Sequence, residues 1–178
     1  MSLHADAVDV LQRWSPPDRD QERLRVAYLA HLDAHPDAMF RECHPDHLTA
    51  STIILTRDLR HVLLTLHRKL RRWLQTGGHC EPADECLAGA ATREGTEESG
   101  LDDLRVDPDP VLLSRHQVPC GPIRPAHHLD VQFVAYSDDG VRPRVSDESV
   151  DVRWFAADDL PASTDQSVRT LVQHARRR

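Results

Sequence analysis

The 178 residues read as an α+β protein, and three features lead there. Apolar residues recur at helical spacing up to Ala34, give way to strand-like runs from Leu48, and return to helical spacing after Ser163. Between the strands lies Gly77 to Leu101, GGHCEPADECLAGAATREGTEESGL, a turn followed by a helix crowded with acids. Periodicity alone stops at mixed α and β, because it does not order the layers.

Leu3, Ala7, Val10, Leu11 and Trp14 stand at helical spacing, and Ser15-Pro16-Pro17 stops that helix. A second helix is expected from about Asp18 to Ala34, with Leu24, Tyr28 and Leu32 at i+4 steps; Pro36 ends it. A short helical turn follows over about 37–41. This piece carries no recognisable chemistry. A boundary near Pro45 divides the chain into a helical extension, residues 1–45, packed on a domain of residues 46–178.

LTASTIILT, from Leu48, and HVLLTLH, from His61, form an expected β-hairpin turning at Asp58-Leu59-Arg60. Arg68, Lys69, Arg71 and Arg72 follow, cations suited to a diphosphate when taken together and to a solvated loop when taken singly. Pro82 and Ala83 lead into Asp84, the expected N-cap of a helix reaching Ser99, with Gly100 at the left-handed C-terminal cap. Leu87, Ala90 and Ala91 give this helix its buried stripe. Glu94, Glu97 and Glu98 fall at i, i+3 and i+4, with Cβ atoms about 5–6 Å apart on one face. They repel by roughly 0.2–0.5 kcal/mol per pair. A hard, oxygen-seeking divalent ion reverses that sign, although such a face alone is more often simply solvated.

Val111 to His116 is the next strand, and residues 119–128 make a loop rich in proline and histidine. In the strand Leu129 to Tyr136, Val131, Phe133 and Ala135 share one face and Asp130, Gln132 and Val134 the other. His127, His128 and Asp130 reach toward a substrate or metal from its start, while singly each reads as an ordinary polar residue. Val150, Val152 and Trp154 alternate inward along the last strand. Ser163-x-x-Gln166 is a capping box for a final helix whose Val168, Leu171, Val172 and Ala175 face the core.

A net charge of −7 argues against a general nucleic-acid binder, and an acidic enzyme acting on phosphates needs a metal to offset repulsion. Cys43, Cys80, Cys86 and Cys120 show no zinc-ligand spacing and suit free thiols of a reducing compartment. With neither a signal peptide nor an apolar run of spanning length, the expectation is a soluble cytoplasmic protein without a membrane partner.

Residues 77–101 resemble the Nudix box, G-x5-E-x7-R-E-U-x-E-E-x-G-U with U a bulky apolar residue. Arg93-Glu94-Gly95-Thr96-Glu97-Glu98-Ser99-Gly100-Leu101 matches its tail except at U, where Gly95 stands. The front is one residue longer: counting from Gly78 puts the first acid at Asp84, and counting back from Arg93 puts it at Glu85. Either acid is a candidate partner for Arg93. The resemblance implies an α/β/α sandwich with a mixed sheet between the box helix and the last helix. It implies Mg2+, or Mn2+ in its place, held by Glu94, Glu97 and Glu98, with Arg93 orienting them and Gly77, Gly78, Glu85 and Gly100 shaping the box. Glu148, in the loop before the last strand, resembles the extra glutamate that some members use as base or ligand. Trp154 to Pro161 resembles the W-F-x-x-D-x-L-P ending common in the family.

The implied activity is Mg2+-dependent hydrolysis of the pyrophosphate bond in a nucleoside diphosphate linked to another moiety, by a protein that is a homodimer in many members. The alternative is a catalytically weak nucleotide-binding or regulatory protein of the same fold. Gly95 and the lengthened front are its motivation.

Overall fold

The computed structural model describes residues 1–119, 122–146 and 149–178. In chain order the elements are α1 (Leu3–Arg13), α2 (Arg19–Ala34), β1 (His47–Thr56), β2 (His61–His67), β3 (Trp73–Leu74) and β4 (Thr76–His79). They continue with α3 (Leu87–Ser99), β5 (Arg105–Val106), β6 (Leu112–Val118), β7 (Ala126–Ser137), β8 (Ser149–Ala156) and α4 (Gln166–Ala175). Among the described residues no helix is long and apolar enough to cross a membrane.

β1 is the spine of a mixed sheet. It runs parallel to β7 from His47↔His128 to Thr56↔Ser137. Its other edge pairs antiparallel first with β4, from Thr49↔His79 to Thr52↔Thr76, and then with β2 at Ile54↔Leu63. β2 carries β3 and β8, and β7 carries β5 and β6. Every residue of β1 is buried, as expected of a strand covered on both faces.

Alternate residues of β1 feed opposite layers. Leu48 and Ala50, with Val131 and Phe133 of β7, pack against Leu87, Ala90 and Ala91 of α3. Leu3, Ala7 and Leu11 of α1 and Tyr28 and Leu32 of α2 join this same cluster. Ile53, Leu55 and Val134 face the other way, onto Val168, Leu171 and Val172 of α4. The sheet therefore lies between α3 with the N-terminal helices on one side and α4 on the other. The expected sandwich is what the packing delivers.

Several local expectations need correction. The box helix begins at Leu87, not near Asp84; Cys86 is its N-cap, with Sγ accepting from the Gly89 N–H at 3.3 Å. Asp165, not Ser163, caps α4, through its carboxylate at 3.0 Å from the Gln166 N–H. Val150 does not turn inward but is 40% exposed, the alternation in β8 holding only from Val152. Gly100 has φ +66 and its N–H bonds Thr96 O at 2.8 Å, the left-handed cap the sequence suggested.

Candidate active site

The site is built where β4 leaves the sheet. Gly77, at φ +153, lies so close to Ser51 of β1 that a Cβ there would fall 2.3 Å from the serine Cβ. That contact brings β4 onto β1 and sets the path of residues 79–86 into α3. On α3 itself, Arg93 organises the surrounding acids. Its Nε and one terminal nitrogen donate to the two oxygens of Asp84 at 3.1 and 3.0 Å, and that same nitrogen donates to His79 O at 2.9 Å. The other terminal nitrogen donates to Glu94 at 3.0 Å and Glu97 at 3.3 Å. These contacts use all five guanidinium N–H groups.

The ambiguity at the front of the box is thereby resolved in geometry. Asp84, its side chain only 6% exposed, is the bidentate partner of Arg93. Glu85 is exposed on the surface, so the structural role expected of it falls to Asp84. Asp84 also accepts from the Glu81 N–H at 2.8 Å, which closes the turn before the helix. The Asp84 carboxylate raises the pKa of Arg93 well above its ordinary value, with Glu94 adding to the effect against burial.

Arg93, Glu94, Glu97 and Glu98 line one cleft of about 640 Å³, with Gly78, His79 and Cys80 on the β4 side. The side chain of Glu94 is 13% exposed and that of Glu97 59%, so the acids grade from wall to opening. A Cβ at position 78 would meet all three Glu94 carboxyl atoms at 2.7 Å, so glycine there leaves the room the carboxylate occupies. Three carboxylates on one wall are a hard oxygen donor set, and they fit a divalent ion such as Mg2+. Glu148 lies outside the described residues.

The basic run after β2 goes elsewhere. Arg72 pairs with Asp165 at 2.8 Å beside α4, and Arg68 donates to Ser149 O at 3.2 Å; neither is part of the cleft wall. Besides Arg93, the cleft is lined by Arg41, beside Phe40 and Glu42 from the segment after α2. No motif marks Arg41. Its placement depends on the packing of the N-terminal helices, which no local pattern encodes.

Next to the cleft, and sharing His79 with it, lies a second group that residue patterns leave scattered. His47, His79 and His128 stand on β1, β4 and β7, with ring centroids 4.9–5.1 Å apart. Burial pushes His79 down to about 4, with Arg41 and His47 contributing, and His128 down to about 3, with His79 and His47 contributing. Next to them, buried Asp130 accepts from Ser51 Oγ at 2.7 Å, Thr49 Oγ1 at 3.0 Å and Gln132 Nε2 at 3.1 Å. Cys80, pushed up to about 12 by burial, stays a thiol rather than a thiolate. In the sequence His128 stands with His127 and Asp130 at a strand start, within reach of a substrate or metal, and nothing there joins it to His47 or His79. The signal that unites them is strand register, visible once β1 is known to pair with both neighbours.

Comparison with known proteins agrees with the box. The model of the NUDIX domain matches residues 45–175. No curated protein is significantly similar to the chain. Among solved structures, a NUDIX-family hydrolase from Clostridium perfringens is 23% identical over 73% of this chain and 94% of its own, with a TM-score of 0.54. The E. coli dihydroneopterin triphosphate pyrophosphohydrolase is 18% identical over 71% and 92%, with a TM-score of 0.59. The NUDIX domain of Shewanella oneidensis NrtR, solved with ADP ribose, is 18% identical over 85% and 96%, with a TM-score of 0.58. At such identities the likeness speaks for the fold, whereas the domain match spans most of the chain. With a box whose acids share one cleft on that fold, the chain belongs to the NUDIX family.

Proposed function

We propose that the protein is a Mg2+-dependent hydrolase, with Mn2+ as a substitute, that cleaves the pyrophosphate bond of a nucleoside diphosphate linked to another moiety. The observation that carries this reading is the convergence of Arg93, Glu94, Glu97 and Glu98 on one cleft. Glu94, Glu97 and Glu98 would hold the ion. When bound, a divalent ion neutralises charge on the phosphate oxygens and lowers the pKa of an attacking water.

The chain's own residues supply the rest. Arg93 fixes Glu94 and Glu97 at 3.0 and 3.3 Å and is itself anchored by Asp84, so the acids are held in place before substrate arrives. A carboxylate of the cleft, or Glu148, accepts the proton of the attacking water. Arg41, which lines the same cleft, offers its guanidinium to a phosphate oxygen. In this reading residues 1–45 pack on the catalytic domain and complete its site.

The regulatory alternative loses its two motivations. A Cβ at position 95 would fall 2.9 Å from Thr52 Cγ2 and 3.0 Å from Leu104 Cδ1, so Gly95 answers to close packing of α3 on the sheet. The longer front still delivers an acid, Asp84, to Arg93.

The test is product release from a panel of nucleotide sugars, dinucleoside polyphosphates, nucleoside triphosphates and ADP-ribose, with Mg2+ and then with EDTA. Turnover of at least one compound that EDTA abolishes is expected. An intact panel, together with nucleotide binding in a thermal-shift assay, would favour a regulatory protein instead.

A further inference from the structure

We infer that His47, His79 and His128 form a second metal site, built of imidazoles, for a borderline divalent ion such as Zn2+. It is separate in chemistry from the acidic cleft, since Mg2+ prefers oxygen donors and imidazole suits Zn2+.

Three strands bring the site together. His47 and His128 are direct partners in the parallel β1–β7 pair. His79 is paired across β4 with Thr49, two residues along from His47 and on the same face. One nitrogen from each ring lies within 4.8 Å of the other two. Tetrahedral zinc at about 2.0–2.1 Å from nitrogen places its ligand atoms roughly 3.3 Å apart, so the rings need draw together only modestly. Three protein nitrogens leave a fourth position for water.

His47 gives the second, independent sign of a ligand. It is 2% exposed, and its Nδ1 faces the Cys43 carbonyl at 3.3 Å. A carbonyl only accepts, so Nδ1 carries the hydrogen and the lone pair of the neutral ring is on Nε2. That Nε2 is buried and has no hydrogen-bond partner among the described residues. A core histidine serving structure alone would be expected to spend both nitrogens. A ring held by Nδ1–H to a carbonyl, with Nε2 left without a hydrogen-bond partner among the described residues, is the arrangement found in metal-binding histidines.

Two neighbours bear on the site. Asp130, 3% exposed, lies one row from His128 on the same face and accepts from Ser51, Thr49 and Gln132. Arg41 donates to His79 Nδ1 at 3.0 Å and competes with an ion. Binding at Nδ1 displaces it directly, and binding at Nε2 requires the other tautomer, which also breaks that bond. Arg41 is exposed and already lines the acidic cleft, where its guanidinium stays in contact with solvent once that bond is broken. An ion here would tie the start of β1 to β4 and β7 just downstream of Gly78.

The test uses the full chain stripped with a chelator, dialysed and titrated with Co2+. The expected result is a visible ligand-field band that saturates at one ion per chain, is bleached by Zn2+ and is untouched by Mg2+. The band should persist in the triple variant Glu94→Gln, Glu97→Gln, Glu98→Gln and vanish in His128→Gln. His79→Gln, at the half-buried rim, is the second variant should the first not fold. No saturable band in the wild-type chain, a band kept by a folded histidine variant, or a band lost with the glutamates would each overturn the site.

Discussion

Arg93 spends every N–H it has, two of them on an Asp84 carboxylate that is almost fully buried. Lysine keeps the charge but has neither the planar fork nor the number of donors. Arg93→Lys should therefore lower stability by about 2 kcal/mol, because Asp84 is left partly unpaired away from water. Turnover should fall as well, since Glu94 and Glu97 lose their anchor. Urea unfolding monitored by circular dichroism checks the first effect, and an unchanged midpoint would count against this network. The residues of the network are legible in the sequence, but their pairing is not. Asp84 and Glu85 are adjacent, and one extra residue in the turn leaves the register open until Asp84 is seen to close it with the Glu81 N–H.

The box helix shows how a local rule yields to packing. Asp84 is a good N-cap by residue type, yet Arg93 claims its carboxylate, and the helix starts at Leu87 under a cysteine cap. Gly95 departs from the pattern for a similar reason, because α3 lies too close to Thr52 and Leu104 to admit a side chain. Glycine to alanine inside a helix ordinarily stabilises by roughly 0.5–1 kcal/mol. Gly95→Ala should instead destabilise by about 1–3 kcal/mol through overpacking. Thermal unfolding decides the sign, and a raised midpoint would mean that the helix has slack against the sheet. The exposed Val150 is illegible for a related reason: it is the residue skipped where the β2–β8 register shifts, and strict alternation breaks there.

Over the whole molecule, the helix and strand order can be read from periodicity, because each helix buries one stripe of residues against another layer and leaves the rest toward solvent. The site can be read where it is contiguous, from Gly77 to Gly100. It cannot be read where three strands or two distant helices meet. Arg41 reaches the cleft only because α1 and α2 share a core with α3, and the histidines meet only through the registers of β4, β1 and β7. The basic run misleads by its proximity in sequence; its Arg72 is committed to Asp165 by α4. The central claim is that the assembled acids work on a phosphoanhydride, and kcat of the double variant Glu97→Gln, Glu98→Gln on the panel's best substrate tests it most directly. Removing two carboxylates that would hold the ion should cut kcat by roughly a thousandfold or more while the fold persists. Turnover unchanged in a folded double variant would contradict the account.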